Sequence, residues 1–437
     1  MNSKLWQKEN EATLGWVEEF TIGSDPSFDL LLAKFDIQAS VAHAEMLAEA
    51  GLISNQEGLL LKQQLEKILE KVKDGTFAIE TGVEDIHSQV ELMLTRELGD
   101  VGRKIHTARS RNDQVLVDIK LFIKSELIRI AVKIRILFDL LQELSEKHKE
   151  ILLPGYTHFQ PAMPSSFGLW FGAYSESLSE DLEIWGMAFG IANKNPLGSG
   201  AGYGSSLPID RTITTHKLNF ATLNYNSVYA QMTRGKTEKI AAVALAAVAS
   251  TLGKMCVDLC LFLSPNFNFI SFPEGQSTGS SIMPHKKNPD VFELVRGRCN
   301  LISGLPNQIT LLTANLPSGY HRDFQLSKEC LFPGFKSLGQ SLDAMASSLA
   351  KIEVRHDILN DPLYNNIFSV EEVNRLVMTG IPFREAYGRV AGQIKQGSFK
   401  FEGTLRHGHQ GSIGNLENQK IKEVFYKTFG LFQDSGI

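Results

Sequence analysis

Apolar side chains recur at helical spacing along the longest uninterrupted segment of the chain, residues 114–150. This segment contains neither glycine nor proline. Its apolar positions alternate steps of three and four residues, the spacing of a buried seam in a helix bundle; they are Leu116, Ile119, Ile123, Leu127, Ile130, Ile134, Leu137, Leu141 and Leu144. One helix of this length extends about 55 Å. The pattern therefore predicts a multi-helix bundle and self-association.

Four later segments carry similar helical patterns, with some interruptions by glycine or proline: residues 165–193, 236–263, 290–316 and 325–352. Strand-type alternation is scarce, so the fold class predicted is all-α. We expect three helical domains: an N-terminal domain (1–105), a central long-helix bundle of five helices (106–353) and a small C-terminal domain (354–437). Capping boxes are predicted at Ser54/Glu57 and at Ser369/Glu372, each opening a helix.

Composition narrows the classes of partner. The formal net charge is −5, with 44 basic and 49 acidic residues, so no general attraction to nucleic acid or to an anionic membrane is expected. The most apolar segment, 240–252, is shorter than the roughly 20 residues of a membrane span and predicts a buried bundle helix. The N-terminus lacks the apolar core of a signal peptide. The four cysteines form no Cys-x-x-Cys pair, which favours free thiols and a cytoplasmic location.

The loop at residues 275–289 (GQSTGSSIMPHKKNP) has the most informative composition in the chain. It combines the hydroxyls of Ser280 and Ser281 with the cation of Lys286 and the amide of Asn288. Pro289 suits the first turn of the helix that follows. Hydroxyls, backbone N–H groups and a cation beside a helix start are the ingredients of an anion site. A glycine–serine linker is the alternative reading of the loop, and Glu293 is equally typical of an exposed first-turn carboxylate.

Three further polar stretches interrupt the helical patterns. Each stretch also has a purely structural interpretation. Residues 106–113 would then be a helix cap with a solvated charge cluster, 154–161 a loop with a hydrogen-bonded histidine, and 320–329 a capped helix start. Arginine forks suit carboxylates, so we also consider these stretches as binding segments. Their candidate residues are Ser110, Arg111 and Asn112 in 106–113, Thr157 and His158 in the loop 154–161, and Tyr320, Gln325 and Lys328 in 320–329.

Taken together, these stretches resemble the argininosuccinate lyase family of the fumarase/aspartase superfamily. The strings that carry the resemblance are TARSRNDQ (107–114), EDIH (84–87), GYTHFQ (155–160), MPHKKNPD (283–290) and GIPFREA (380–386). The resemblance implies an all-α homotetramer in which the central helices of four subunits form one bundle. It also implies active sites that each draw on three subunits. The reaction of the family splits argininosuccinate into arginine and fumarate without a metal or an organic cofactor.

The resemblance also implies residue roles. Ser280 would be the base that removes a proton from carbon, with Ser281 as its near-equivalent and Lys286 favouring the alkoxide. His158 would be the acid for the leaving nitrogen, oriented by Glu293. The carboxylates of the fumarate half would be held by Lys286, Asn288, Ser110, Arg111, Asn112 and Thr157, and the amino-acid half by Tyr320, Gln325 and Lys328.

Several positions depart from the family pattern. The binding serine near the N-terminus is ambiguous between Ser24 and Ser27, residues 201–204 read AGYG, residues 234–236 read RGK, and His321 and Arg322 stand where the family has asparagine and lysine. These changes concern the amino-acid half of the substrate. Two alternatives therefore remain: a sister lyase acting on adenylosuccinate, suggested by His285, and a non-catalytic scaffold of the lens-crystallin type.

Overall fold

The fold is described from a computed structural model, which covers residues 15–273, 275, 278–279, 282–405 and 407–433. Helices dominate it, and the strands form small two-stranded sheets. This confirms the all-α class predicted from the spacing of apolar residues.

The N-terminal helices are α1 (Gly15–Ile22), α2 (Asp25–Glu49), α3 (Asn55–Lys73), α4 (Ile86–Leu98) and α5 (Asp100–Arg103). The central part comprises α6 (Arg111–Lys147), β1 (Leu152–Thr157), β2 (Gln160–Ser166), α7 (Phe167–Ala192), β3 (Lys194–Asn195), α8 (Arg211–Lys217), β4 (Thr222–Leu223), α9 (Ser227–Met232), α10 (Lys236–Leu263), β5 (Ile270–Ser271), β6 (Thr278–Gly279), β7 (Lys287–Asn288), α11 (Asp290–Ser303), α12 (Leu305–Leu312), α13 (Ser327–Leu349) and β8 (Glu353–Val354). The C-terminal helices are α14 (Ser369–Met378), α15 (Phe383–Lys395) and α16 (Asn418–Gln433).

Helix α6 is the axis of the central bundle. All nine apolar positions of the predicted seam are buried, and α6 contacts α2, α7, α13 and α16. Packing around it is aromatic and closely fitted: Phe122 stacks on Phe332 with ring centroids 4.0 Å apart. The buried indole N–H of Trp185 donates to the Leu127 carbonyl at 2.8 Å, which satisfies a polar group that would otherwise be costly to bury.

The predicted helix at 290–316 is two helices in the structure. Helix α11 ends at Ser303, and α12 begins at Leu305. Gly304 lies between them and Pro306 follows, and a proline has no N–H to continue the ladder of hydrogen bonds. Helix α10 has the bounds expected from the sequence. Among the described helices it is the one long and apolar enough to cross a membrane, and 61% of its most apolar window is buried in the fold.

The two predicted capping boxes have different outcomes. At α3, the Ser54 hydroxyl accepts from the Glu57 N–H, and the Glu57 carboxylate accepts from the Ser54 N–H. The box at Ser369 is wrong: Ser369 is already the first residue of α14, and its N-cap is Phe368, which makes no side-chain cap. A 3₁₀ helix, Pro362–Phe368, runs directly into α14. Its backbone carbonyls take the place of a capping side chain.

The segment 154–161, expected to be a loop between two helices, belongs to a β-hairpin. Strands β1 and β2 pair antiparallel, with one irregularity where the register shifts between Gly155 and Tyr156. The two residues at the tip, His158 and Phe159, have φ of 53° and 58°. Two consecutive residues with positive φ are typical of the tightest hairpin turn.

The last helix packs back on the bundle. Phe425 of α16 stacks on Phe138 of α6 with ring centroids 3.7 Å apart, and α16 also contacts α7. A separate small cluster, around Val373, Ala386 and Val390, holds α14 and α15 together. The domain boundaries at 105/106 and 353/354 stay a prediction.

Candidate active site

A cavity of about 470 Å³ lies where α2, α4, α6 and α13 begin. Its lining includes five residues singled out from the sequence: Arg111, Asn112, Tyr320, Gln325 and Lys328. The fold thus brings the stretches 106–113 and 320–329 to one place, although about 200 residues separate them in the chain. We call this part of the molecule the cavity end of the bundle.

The start of α6 is held by its own side chains. The Ser110 hydroxyl accepts from the Asn112 N–H at 3.3 Å, and the Ser110 N–H donates to the Asp113 carboxylate at 2.8 Å. The structural reading of Ser110 as a helix cap is therefore confirmed. The cap places Arg111 and Asn112 in the first turn of α6, where backbone N–H groups favour an anion.

The Arg111 guanidinium is anchored on the wall of the cavity. It donates to Glu84 at 2.9 Å and to the Ser88 hydroxyl at 2.6 Å, and it lies 3.4 Å from Asp85. Burial opposes its charge, but Asp85 and Glu84 outweigh that effect and raise the pKa of Arg111. A permanently charged, pre-oriented guanidinium is suited to binding a carboxylate.

Lys328 also lines the cavity, and its side chain is 3% exposed. Its ammonium is 2.6 Å from the Asp25 carboxylate and 2.8 Å from that of Asp29. Gln325, one turn earlier, donates to the carbonyls of Thr21 and Ile22 at 3.0 and 3.2 Å. The N-terminal segment thus packs against the part of the cavity wall that carries Gln325 and Lys328.

The sequence analysis missed Asp25, Asp29 and His87, which also line the cavity. His87 is buried, and its Nδ1 lies 2.7 Å from Asp36 and 3.7 Å from Asp118. Burial alone would lower the pKa of His87, but the neighbouring carboxylates raise it to about 10. The string EDIH contains this histidine, and a histidine after two carboxylates was a signal that could have singled it out.

The Asp36, His87 and Asp118 side chains are close enough to hold a metal ion, with their ligand atoms within 4.8 Å of one another. The residues fit an internal ion-pair network better. His87 is protonated at neutral pH because its pKa is about 10, and an imidazolium has no lone pair for a metal. The buried Arg109 guanidinium supplies a second positive charge beside Asp36 and Asp118.

Arg234, the first residue of the RGK string and the one that matches the family pattern, also lines the cavity. Its Nε lies 3.0 Å from Glu238, and its Nη2 donates to the Phe324 carbonyl at 2.8 Å. Gly235 has φ of 73°, and a Cβ there would lie 2.6 Å from the Thr313 methyl. Glycine is therefore required at this turn, and its place in the RGK string has a packing reason.

The other sequence candidates lie at the opposite end of the bundle. The β-hairpin that carries Thr157 and His158 follows the C-terminus of α6: the Gly168 N–H donates to the His148 carbonyl at 3.2 Å. Helix α6 has 37 residues and extends about 55 Å, whereas β1 reaches about 20 Å. His158 is thus about 30 Å or more from Ser110 within one chain. Thr157 and His158 are both exposed.

The segment with Lys286, Asn288 and Glu293 lies at the same end of the bundle as this hairpin, and we call that end the hairpin end. Helix α10 leads from Arg234 to it, and the Trp170 indole of α7 donates to Asp258 near the end of α10 at 3.0 Å. Lys286 and Glu293 are exposed. The carboxylate of Glu293 lies 3.9 Å from Arg296, a long ion pair on the surface. Ser280 and Ser281 lie outside the described residues.

Comparisons with known proteins agree with one another. A lyase family profile matches residues 19–304. The chain is 52% identical to the argininosuccinate lyase of Bacteroides fragilis (strain ATCC 25285) over 437 residues, which are 100% of this chain and 98% of that protein. It is 51% identical to the argininosuccinate lyase of Parabacteroides distasonis over 432 residues, 99% of this chain and 97% of that protein.

Solved structures resemble the fold at low sequence identity. The crystal structure of EDDS lyase in complex with formate matches with a TM-score of 0.76 and 20% identity, covering 98% of this chain and 91% of that chain. At this identity the likeness concerns the fold alone.

Proposed function

The chain belongs to the argininosuccinate lyase family, and we propose that it cleaves argininosuccinate into arginine and fumarate. The observation that carries the proposal is the cavity end, where Arg111 and Lys328 present two anchored cations in one cavity. Argininosuccinate carries carboxylates at both ends, and two cations lining one cavity suit such a substrate. The reaction makes the protein a carbon–nitrogen lyase, and it uses protein side chains alone.

The chemistry explains why the remaining candidates are needed. The proton beside a carboxylate is weakly acidic, and its removal builds a second negative charge onto that carboxylate. We propose that Ser280 takes this proton, with Ser281 as the alternative base, and that Lys286 and Asn288 stabilise the growing charge. The electron pair then forms the fumarate double bond as the C–N bond breaks. His158 donates a proton to the leaving guanidino nitrogen, and Glu293 orients that imidazole.

We propose that each active site is assembled from several subunits of a homotetramer. The support is geometric: His158 and Lys286 belong to the hairpin end of the chain, whereas Arg111 and Lys328 belong to the cavity end. A substrate of this size cannot reach from one end to the other within one chain. An antiparallel neighbour would bring its hairpin end to the cavity end of this chain. Apolar residues exposed on the long helices, including Val132, Ile136, Leu294 and Leu301, support such an association.

The cellular role follows from the reaction. We propose that the protein acts in arginine biosynthesis in the cytoplasm. All four cysteines are free thiols, in keeping with a reducing compartment. The proposal includes neither a nucleic acid nor a membrane as partner.

The test is release of fumarate, followed by the absorbance of its double bond, from purified protein supplied with argininosuccinate or with adenylosuccinate. We expect turnover of argininosuccinate alone. Turnover of adenylosuccinate instead would assign the protein to the sister lyases. Release of fumarate from neither substrate by a folded tetramer would leave the scaffold alternative in place. A Ser280→Ala variant that keeps full turnover would remove Ser280 from the role of base.

A further inference from the structure

A second cavity of about 470 Å³ lies between α2, α3 and α6, beside the end of α8. We call it the lysine cavity, because Lys34, Lys124 and Lys217 line it. It shares no lining residue with the cavity at the start of α6. At about 1.5 Å of rise per residue, Lys124 lies about 20 Å beyond Arg111 along α6. The lysine cavity is therefore separate from the candidate active site.

Lys124 is a buried cation of this cavity, and it is 2% exposed. Its ammonium donates to the Asn219 carbonyl and lies 5.5 Å from the centroid of the Phe220 ring. Burial lowers the pKa of Lys124 to about 8, and among the described residues no carboxylate opposes this shift. An ammonium has three donors, so Asn219 satisfies only part of its hydrogen-bonding capacity. The protein itself supplies no counter-charge for this cation, which is costly for a buried group.

The nearest acidic groups of the lining are engaged or exposed. Glu45 lies 3.2 Å from the ammonium of Lys217, which also lies 3.1 Å from Glu49. Glu66 is exposed to solvent. The lining carries three lysines and two glutamates, a formal excess of one positive charge. The electrostatic balance of the cavity therefore favours an anion next to Lys124.

Much of the remaining lining is apolar. It also includes two neutral side chains that can form hydrogen bonds, those of Gln38 and Ser125. A concave, largely apolar surface with a few polar groups is typical of a site for a small organic molecule, and the volume lies in the usual range for such sites. The apolar residues of the lining are Phe35, Val41, Ala42, Leu69, Leu121 and Leu218.

We propose that the lysine cavity binds a small organic monocarboxylate with an apolar body, whose carboxylate accepts from the ammonium of Lys124. The apolar body lies against the side chains of α2, α3 and α6, among them Phe35 and Leu121. Inorganic phosphate is also an anion, but it has no apolar part to bury on this surface and is bound less well. The site goes beyond the proposed lyase reaction and does not depend on it.

Hexanoate is the probe, with hexanol and inorganic phosphate as matched comparisons. Thermal unfolding of the full-length protein at pH 7 would be followed against the concentration of each compound. A ligand that binds the folded state raises Tm in a saturable way. We expect such a rise with hexanoate, an apparent affinity about tenfold or more lower for hexanol, which lacks the charge, and no saturable effect of phosphate.

The variant to measure is Lys124→Met, which keeps an unbranched apolar stem and removes the ammonium. It should weaken the binding of hexanoate about tenfold or more and leave that of hexanol unchanged. Lys73→Met is the matched control, because Lys73 is an exposed lysine of α3 paired with Glu70. This control should bind hexanoate as wild-type protein does.

Wild-type protein offers a second measurement if Lys124→Met fails to fold. Because the pKa of Lys124 is about 8, its charge is lost at higher pH, and the affinity for hexanoate should fall about tenfold between pH 7 and pH 9. The charged groups that face Lys124 across the cavity are Lys34, Glu45, Glu66 and Lys217. Hexanol reports any general effect of these groups, and its affinity should stay level.

Saturable binding of hexanoate that requires Lys124 and weakens at pH 9 would support the site. Four results would each overturn it: no saturable binding of hexanoate, equal binding by wild type and Lys124→Met, binding of phosphate in place of hexanoate, or equal affinity at pH 7 and pH 9. None of these results bears on the release of fumarate from argininosuccinate, which is measured separately.

Discussion

The Asp113 carboxylate accepts the backbone N–H of Gly198 at 3.0 Å and thereby ties the start of the longest helix to a distant turn. The same oxygen accepts the Gly200 N–H at 2.9 Å, and the other oxygen accepts the Ser110 N–H. Asp113 is fully buried. One side chain thus fixes the cap of α6 and the loop beside the cavity end.

Replacement of Asp113 by alanine should destabilise the protein by about 2–4 kcal/mol, because it leaves three backbone N–H groups without their acceptor. Urea unfolding followed by circular dichroism measures the change. Asp113→Asn retains one acceptor oxygen and should lose about half as much. Equal stability of wild type and Asp113→Ala would mean that water replaces the carboxylate.

The charge of His87 makes stability depend on pH. Its pKa is about 10 in the fold against a reference value of 6.5, so its contribution is present in full below pH 6.5 and is lost as pH rises towards about 10. We expect the free energy of unfolding of wild type to exceed that of His87→Gln by an amount that shrinks across this window. Urea titrations at several pH values measure the difference. A difference independent of pH would show that His87 acts without its charge.

The contact between Phe138 and Phe425 should anchor α16. Phe425→Ala removes a fully buried ring and should cost about 3–5 kcal/mol. The matched control is Val424→Ala, since Val424 is 48% exposed and its truncation should cost less than about 0.5 kcal/mol. Thermal unfolding compares the two variants. Similar losses in both would indicate that α16 is held by other contacts.

Mixing of subunits tests whether an active site combines the hairpin end of one subunit with the cavity end of another. His158→Asn should lower kcat about 100-fold or more if His158 is the acid, and Arg111→Met should weaken substrate binding strongly. After the two inactive proteins are denatured together and refolded, some sites of a mixed assembly would combine an intact hairpin end with an intact cavity end. We expect partial recovery of fumarate release.

The control for this experiment is each variant refolded alone, which should stay inactive. Absence of recovery in mixed tetramers whose composition is verified by mass spectrometry would contradict a site shared between subunits.

The long helices could be predicted because burial of one helix face requires apolar residues at regular spacing along the chain. The bounds of α10 were predicted to the residue, and α6 begins only three residues before the predicted segment 114–150 because Ser110 caps it. The hairpin around His158 could not be predicted, since prolines and glycine mark a turn both in a β-hairpin and in a loop between two helices. The capping box at Ser369 was predicted wrongly, because the 3₁₀ helix that precedes it has no recognisable pattern of residue spacing in the sequence.

The sequence alone determined which side chains are available for chemistry and how apolar residues are spaced along the helices, because these depend on residue types and on spacings of a few positions. It therefore sufficed for the fold class, for the family resemblance and for Arg111, Gln325 and Lys328 as candidates. Only the tertiary structure decided which groups share a cavity. Lys328 and Asp29 meet although 299 residues separate them, and the ion pair between Lys328 and Asp25 likewise joins distant parts of the chain. Electrostatic energies depend on distance in space and on exclusion of water, and neither quantity can be computed from positions along a chain.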